Sequence, residues 1–130
     1  TSKLSSEVGK YLYEPNAAVM KSGGFKLIGN YFGLSKLHDN THLYTGNELL
    51  LEFPGRIFNV NKVWENSKLS LKHLTTEHPK ANISTRNYPI SVDELRKKLR
   101  IKDGGETYLF ACTLANEEKV IIDCKKGKQN

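Results

Sequence analysis

Apolar positions along the chain fall into two regimes. Up to Pro54 they come in short bursts between polar and turn-forming residues; beyond it they recur with a regular period. Residues 1–10 are polar and predict a loose segment, and Tyr11-Leu12-Tyr13 reads as a short extended stretch. Glu14-Pro15-Asn16 then opens a helix, with Pro15 where a missing N–H costs nothing. Gly23-Gly24 interrupts the run Ala17-Ala18-Val19-Met20. Phe25, Ile28 and Phe32 resume helical spacing on one face, up to a stop at Gly33. One helix with a break and two short helices fit this pattern equally. Residues 36–54 have turn character, from Asp39-Asn40 and Gly46-Asn47, apart from the cluster Leu49-Leu50-Leu51. Phe53-Pro54-Gly55 is strong punctuation and marks a module boundary.

After Pro54 the pattern is regular. Arg56 to Trp64 alternates and predicts a strand through Ile57, Phe58, Val60 and Val63. Ser67 to Leu74 predicts a short helix with Leu69, Leu71 and Leu74 as its apolar members. Lys80 to Thr85 holds a strand. Ser91 and Glu94 make a capping box for a helix Val92 to Leu99, whose inward face is Val92, Leu95 and Leu99. Gly104-Gly105 turns the chain into a strand Thr107 to Leu114. Asn116-Glu117 then gives a hairpin return through Lys119 to Cys124. The order β-α-β-α-β-β predicts an α/β (α+β) fold with a small mixed sheet, helical crossovers and an antiparallel end.

The size of the chain, 130 residues, suits one domain or a small pair. A chain of this size buries roughly two thirds of its unfolded surface, so it needs no staples. Twenty basic residues against 14 acidic ones give a net charge of +6, which favours an anionic partner such as nucleic acid. Cys112 and Cys124 lack metal-ligand spacing and read as reduced core thiols, with a single cross-strand bridge as the alternative. No apolar stretch approaches the ~20 residues of a membrane span, and no signal peptide opens the chain, so the expected location is cytoplasmic. The first residues, Thr1-Ser2-Lys3, read as the continuation of a longer polypeptide with its missing part upstream.

Catalytic motifs are absent from the sequence. There is no GxGxxG after a strand, no P-loop and no nucleophile elbow, so no residue is assigned to catalysis. Asp93 and Glu94 fit helix capping better than acid–base work. His38 and His42 are four apart, but Asp39-Asn40 between them argues against a helix, so no metal ligand is assigned. His42 and Tyr44 read as a surface loop. The basic residues are the stronger lead. Arg96, Lys97, Lys98 and Arg100 crowd one short helix whose leucines point inward, which leaves the cations to solvent. Arg86-Asn87-Tyr88-Pro89 precedes that helix and offers a charge, an amide and an aromatic ring in one loop. Lys80 and Arg56 are outer phosphate contacts in the same reading.

Several long motifs are familiar. Tyr13-Glu14-Pro15-Asn16-Ala17-Ala18-Val19-Met20-Lys21, Leu37-His38-Asp39-Asn40-Thr41-His42-Leu43-Tyr44 and Phe53-Pro54-Gly55-Arg56 resemble a Bacteroidetes-type family of class I S-adenosylmethionine-dependent methyltransferases. So do Lys80-Ala81-Asn82-Ile83-Ser84-Thr85-Arg86-Asn87-Tyr88-Pro89, Glu94-Leu95-Arg96-Lys97-Lys98-Leu99 and Gly104-Gly105. The resemblance covers about Tyr11 to Lys125. It implies a mainly helical ferredoxin-like segment over 11–54 and a THUMP-like domain over 55–126, between a loose 1–10 and a tail 127–130. It also implies a methyltransferase domain upstream, with S-adenosylmethionine as the parent protein's cofactor and none in this part.

These readings combine into one expectation. The chain is a non-catalytic accessory module that binds RNA, such as tRNA, for a methyltransferase. Its contacts are Arg86, Asn87, Arg96, Lys97, Lys98 and Arg100, with Lys80 and Arg56 outside them. The alternative is a structural or dimerisation module that packs on the methyltransferase domain through Leu49 to Leu51 and the Phe53-Pro54 corner.

Overall fold

The computed structural model describes residues 3–127. Thr1 and Ser2 of the expected loose segment, and 128–130 of the expected tail, lie outside the described residues. The elements run β1 (Tyr11–Pro15), α1 (Ala17–Ser22), α2 (Phe25–Phe32), β2 (Ser35–His38), β3 (Thr41–Gly46), β4 (Gly55–Glu65), α3 (Lys68–Glu77), β5 (Asn82–Arg86), α4 (Val92–Leu99), β6 (Thr107–Thr113) and β7 (Lys119–Lys126). From β4 onward the order is the expected β-α-β-α-β-β.

The first part contains two short helices rather than one broken one. Asn16, not Pro15, caps α1, because its side chain accepts from the Val19 N–H. Gly23 ends α1 at φ +78°, a left-handed conformation that glycine adopts without a Cβ clash. Two expectations change here. Residues 35–46 form the β2–β3 hairpin, with Asp39-Asn40 as its turn. His42 and Tyr44 are therefore strand residues, and Tyr44 is buried. Residues 3–10 are also not loose along their length. Ser5 N–H donates to the Lys36 carbonyl, Gly9 N–H to Thr45 Oγ1 and Lys10 N–H to Asn47 Oδ1.

All seven strands form one sheet in the order β2-β3-β1-β4-β7-β6-β5, in which β5–β6 is the parallel pair and the rest are antiparallel. Side chains alternate between its faces. One face carries the helices. There α3 and α4 bury Leu71, Leu74, Leu95 and Leu99 against Trp64, Ile83, Leu109, Ala111 and Ile121. Further along the same face α2 buries Ile28 near Tyr13, Tyr44 and Ile57. Leu69 does not join this core; it is 65% exposed.

The other face closes on itself. Leu12, Leu37 and Leu43 from the first three strands meet Phe58, Phe110, Cys112, Ile122 and Cys124 in one cluster. The sheet curls far enough to bring its two ends together. Thr41 Oγ1 on β3 donates to the Thr113 carbonyl at 2.7 Å, and His38 Nε2 lies 2.7 Å from Glu117. The module boundary expected at Pro54 is crossed by this core and by the β1–β4 pairing, in which Pro15 faces Gly55.

The cysteines are free and buried. Cys124 faces Tyr108, whereas Cys112 faces Val120, so the two thiols sit far apart along the β6–β7 ladder and no cross-strand bridge forms. Of the apolar residues singled out for an interface, Phe53 is buried against Tyr13 and Phe32, while Leu49 and Leu51 are exposed.

Candidate nucleic-acid interface

Helix α4 forms for the reasons its sequence gives. Ser91 accepts from the Glu94 N–H, and the Glu94 carboxylate returns to the Ser91 N–H. Asp93 and Glu94 sit at its positive end, and Arg96, Lys97 and Lys98 at its negative end, so both sets suit the dipole. Leu95 and Leu99 are buried, which turns Lys97, Lys98 and Arg100 outward. Arg96 is partly engaged already. Its Nη2 reaches Asp103 at 3.3 Å and its Nη1 reaches the Ile101 carbonyl at 3.5 Å.

A second helix completes the basic surface. Lys68 and Lys72 are one turn apart on α3, and with Lys98 they line a groove of about 490 Å³ between α3 and α4. Leu71 and Leu99 form its floor, and Asn66 and Thr75 its polar rim. Lys68 and Lys72 are missing from the contacts the sequence suggests. Their i, i+4 spacing on an expected helix is the available signal; the crossing of α3 and α4, which pairs them with Lys98, has none.

The loop at 86–89 is positioned differently from expectation. Tyr88 is half-buried against the α3–α4 core and donates to Asn66 Oδ1 at 2.9 Å, so its ring is committed to packing. Burial raises its phenol pKa. Asn87 adopts φ +56° and ties the sheet's ends together. Its Nδ2 reaches Thr41 Oγ1 at 3.4 Å, and its carbonyl accepts from Thr113 Oγ1 at 2.5 Å.

Arg86 is not beside α4. Ile83 faces the helices, so the alternation of β5 sends Arg86 to the opposite side of the sheet, where its guanidinium lies 5.9 Å from the Phe110 ring centroid. There it meets Arg56. Glu14, only 12% exposed, accepts from Arg56 Nε at 2.6 Å through one oxygen and from Arg86 Nη2 through the other. Arg56 also stacks over Phe58 and Tyr108, with centroids 5.2 and 5.4 Å away. The Glu14 hydrogen bond holds the Arg56 pKa above its ordinary value. These groups, with Lys21, His42, Met20 and Pro15, line a cleft of about 780 Å³. His42 is edge-on to Phe25, and burial followed by the charges of Lys36 and Arg86 lowers its pKa. Lys80 stands apart from both sites, over the Gly104-Gly105 turn. Of the eight suggested contacts, Lys98 thus lines the groove with Arg96, Lys97 and Arg100 beside it at the end of α4, Arg56 and Arg86 line the cleft, Asn87 sits at the seam and Lys80 at the turn.

One further titratable pair is structural. His78 Nε2 lies 2.6 Å from the buried Asp123 carboxylate, which also accepts from Trp64 Nε1 and Asn61 Nδ2. Among the described residues no cluster of three His, Cys, Asp or Glu side chains could hold a metal ion, and no helix is long and apolar enough to cross a membrane.

Comparison with known proteins gives a consistent family signal. Residues 11–54 match a ferredoxin-like domain, and residues 55–126 match the family described as THUMP domain-like. The chain superimposes on a solved structure described as a "putative methyltransferase from Porphyromonas gingivalis W83", with a TM-score of 0.93 and 39% identity. That match covers 98% of this chain and 32% of the solved one, so the chain spans about a third of its relative's length. No curated protein matches.

Proposed function

This chain belongs to the THUMP domain-like family, with a ferredoxin-like domain ahead of its THUMP-like one, and on that premise we propose that it holds RNA for a methyltransferase and performs no chemistry itself. The observation that carries the reading is the α3–α4 groove, where Lys68, Lys72 and Lys98 converge beside exposed Lys97 and Arg100. Lysines on two rigid helices meet successive phosphates as point charges without reading bases. Such contacts give affinity and little sequence preference. Specificity for an atom to be methylated would then reside in the catalytic part of a longer protein, which would also bind S-adenosylmethionine. The cytoplasm suits this role, because two unpaired thiols are stable in a reducing compartment.

A salt titration of tRNA binding tests the proposal. Affinity should fall steeply as salt rises, because each neutralised phosphate releases counterions. Replacing Lys68, Lys72 or Lys98 with Gln should weaken binding and reduce the magnitude of the log–log salt slope by about 1 each. Binding that ignores all three substitutions sinks the reading.

A further inference from the structure

We infer that the cleft between β1, β4 and β5 is a binding site for a phosphate monoester carried on a nucleoside-sized group. The inference goes beyond the α3–α4 groove and does not depend on it, because the two share no lining residue.

Preorganisation is the first argument. Glu14 is nearly buried, and each of its oxygens already accepts from a different arginine. Its charge therefore orients Arg56 and Arg86 instead of facing a ligand. Both guanidiniums also rest on aromatic rings of the curled sheet, which limits their rotamers further. Arg56 uses Nε for Glu14 and keeps its terminal nitrogens for the cleft, while side-chain exposures of 41% for Arg56 and 35% for Arg86 leave room for an anion to reach them. Planar donors fixed in this way suit bidentate capture of phosphate oxygens.

Charge selects the anion. Lys21, Arg56 and Arg86 are three cations around the single carboxylate of Glu14, an excess of two positive charges. A phosphate monoester carries about −1.5 to −2 at pH 7 and balances that excess. A lone carboxylate balances only half of it. His42 adds a neutral donor. Its Nδ1 is buried with no hydrogen-bond partner, which disfavours a proton there and assigns it to Nε2. Phe25 from α2, Lys36 from β2 and Arg86 from β5 face this ring, and the two cations help to keep it uncharged.

Size and lining select what the phosphate is attached to. The volume, about 780 Å³, far exceeds one phosphate and falls among pockets of ~300–1,000 Å³ that enclose small organic ligands. Pro15, Ala17 and Met20 add apolar lining to the cleft.

The test follows the His42 ring signals by NMR in the full chain during titrations with inorganic phosphate, AMP, adenosine and a short single-stranded RNA with or without a 5′-phosphate. AMP should shift them, raise the His42 pKa and bind about tenfold or more tightly than either phosphate or adenosine. A comparable preference for the 5′-phosphorylated RNA over its unphosphorylated form also supports the site and points to a nucleic-acid end as its source. Arg86→Gln and Arg56→Lys should each weaken AMP about tenfold, with unchanged amide spectra elsewhere reporting that each is folded. Lys98→Gln, in the groove, should leave AMP binding intact while weakening tRNA. Adenosine binding as tightly as AMP overturns the inference. So do silent His42 signals with every phosphate-bearing probe, or AMP affinity indifferent to both arginine variants. Loss of tRNA binding in Lys98→Gln, with AMP binding absent in the wild type, would retain the groove and discard the cleft.

Discussion

Asp123 is 1% exposed and accepts three hydrogen bonds at Oδ2, from Asn61, Trp64 and His78. Those donors compensate much of the desolvation of a buried carboxylate, and they pin β4 and the end of α3 to β7. Nothing in the local sequence announces this role: Asp123 sits in an apolar strand, and its partners come from 45 to 62 residues away. The buried cysteines make a prediction at the same scale. Burial pushes the Cys112 thiol up to about 12 and raises Cys124 as well. A pKa raised in the folded state favours the neutral thiol, so its stabilising contribution is complete below the unfolded value. It is lost as pH climbs from near 9 toward 12. Folded protein at pH 8 should therefore resist a thiol-directed reagent such as DTNB, and both cysteines should react once denaturant is added. Stability to urea should fall above about pH 9, and more gently in a Cys112→Ala, Cys124→Ala double variant. Rapid labelling of either thiol in the folded protein would contradict this burial.

At the scale of elements, α4 and the β2–β3 hairpin show what the sequence can and cannot reveal. Helix α4 is legible to the residue, because Ser91, Glu94, Leu95 and Leu99 each encode a local contact. The hairpin is hidden because Thr41, Leu43, Tyr44 and Thr45 are all buried, so the strand shows no polar–apolar alternation. Its burial is created by the curl of the sheet, a nonlocal event. The two ends of α4 also differ in what they contribute. Ser91→Ala removes the capping box and should cost about 1 kcal/mol. Arg100, at φ +57°, holds a left-handed conformation that disfavours a side chain. Arg100→Gly should return up to about 1 kcal/mol in urea denaturation, while removing a cation from the proposed RNA surface. A destabilised Arg100→Gly would mean that its side chain contributes more than its backbone costs.

At the scale of the molecule, the same curl explains why the suggested contacts separate. Along the chain Arg86 lies close to α4, with only Asn87 to Ile90 between it and the Ser91 cap, yet the alternation of β5 sends its side chain to the other face of the sheet. The curl also joins the two matched segments into one core. Leu12, Leu37 and Leu43 come from before Pro54, and Phe58, Phe110, Ile122 and Cys124 from after it. Removing residues 1–54 would expose that cluster and the β4 edge that β1 covers, an unpaired apolar strand edge of the kind that aggregates. A fragment beginning at Gly55 should therefore lose the sharp amide spectrum and near-ultraviolet dichroism of the full chain, and should regain them on mixing with a fragment of residues 1–54. A Gly55 fragment that stays monomeric and natively packed alone would mean that the helical face, with Trp64, Leu74, Leu95 and Ile121, suffices as a core. The cleft would then be a contact between two independent domains. With one shared core, Glu14 from the first segment and Arg56 and Arg86 from the second are instead held as rigidly as the sheet itself, which is the condition a preorganised phosphate site requires.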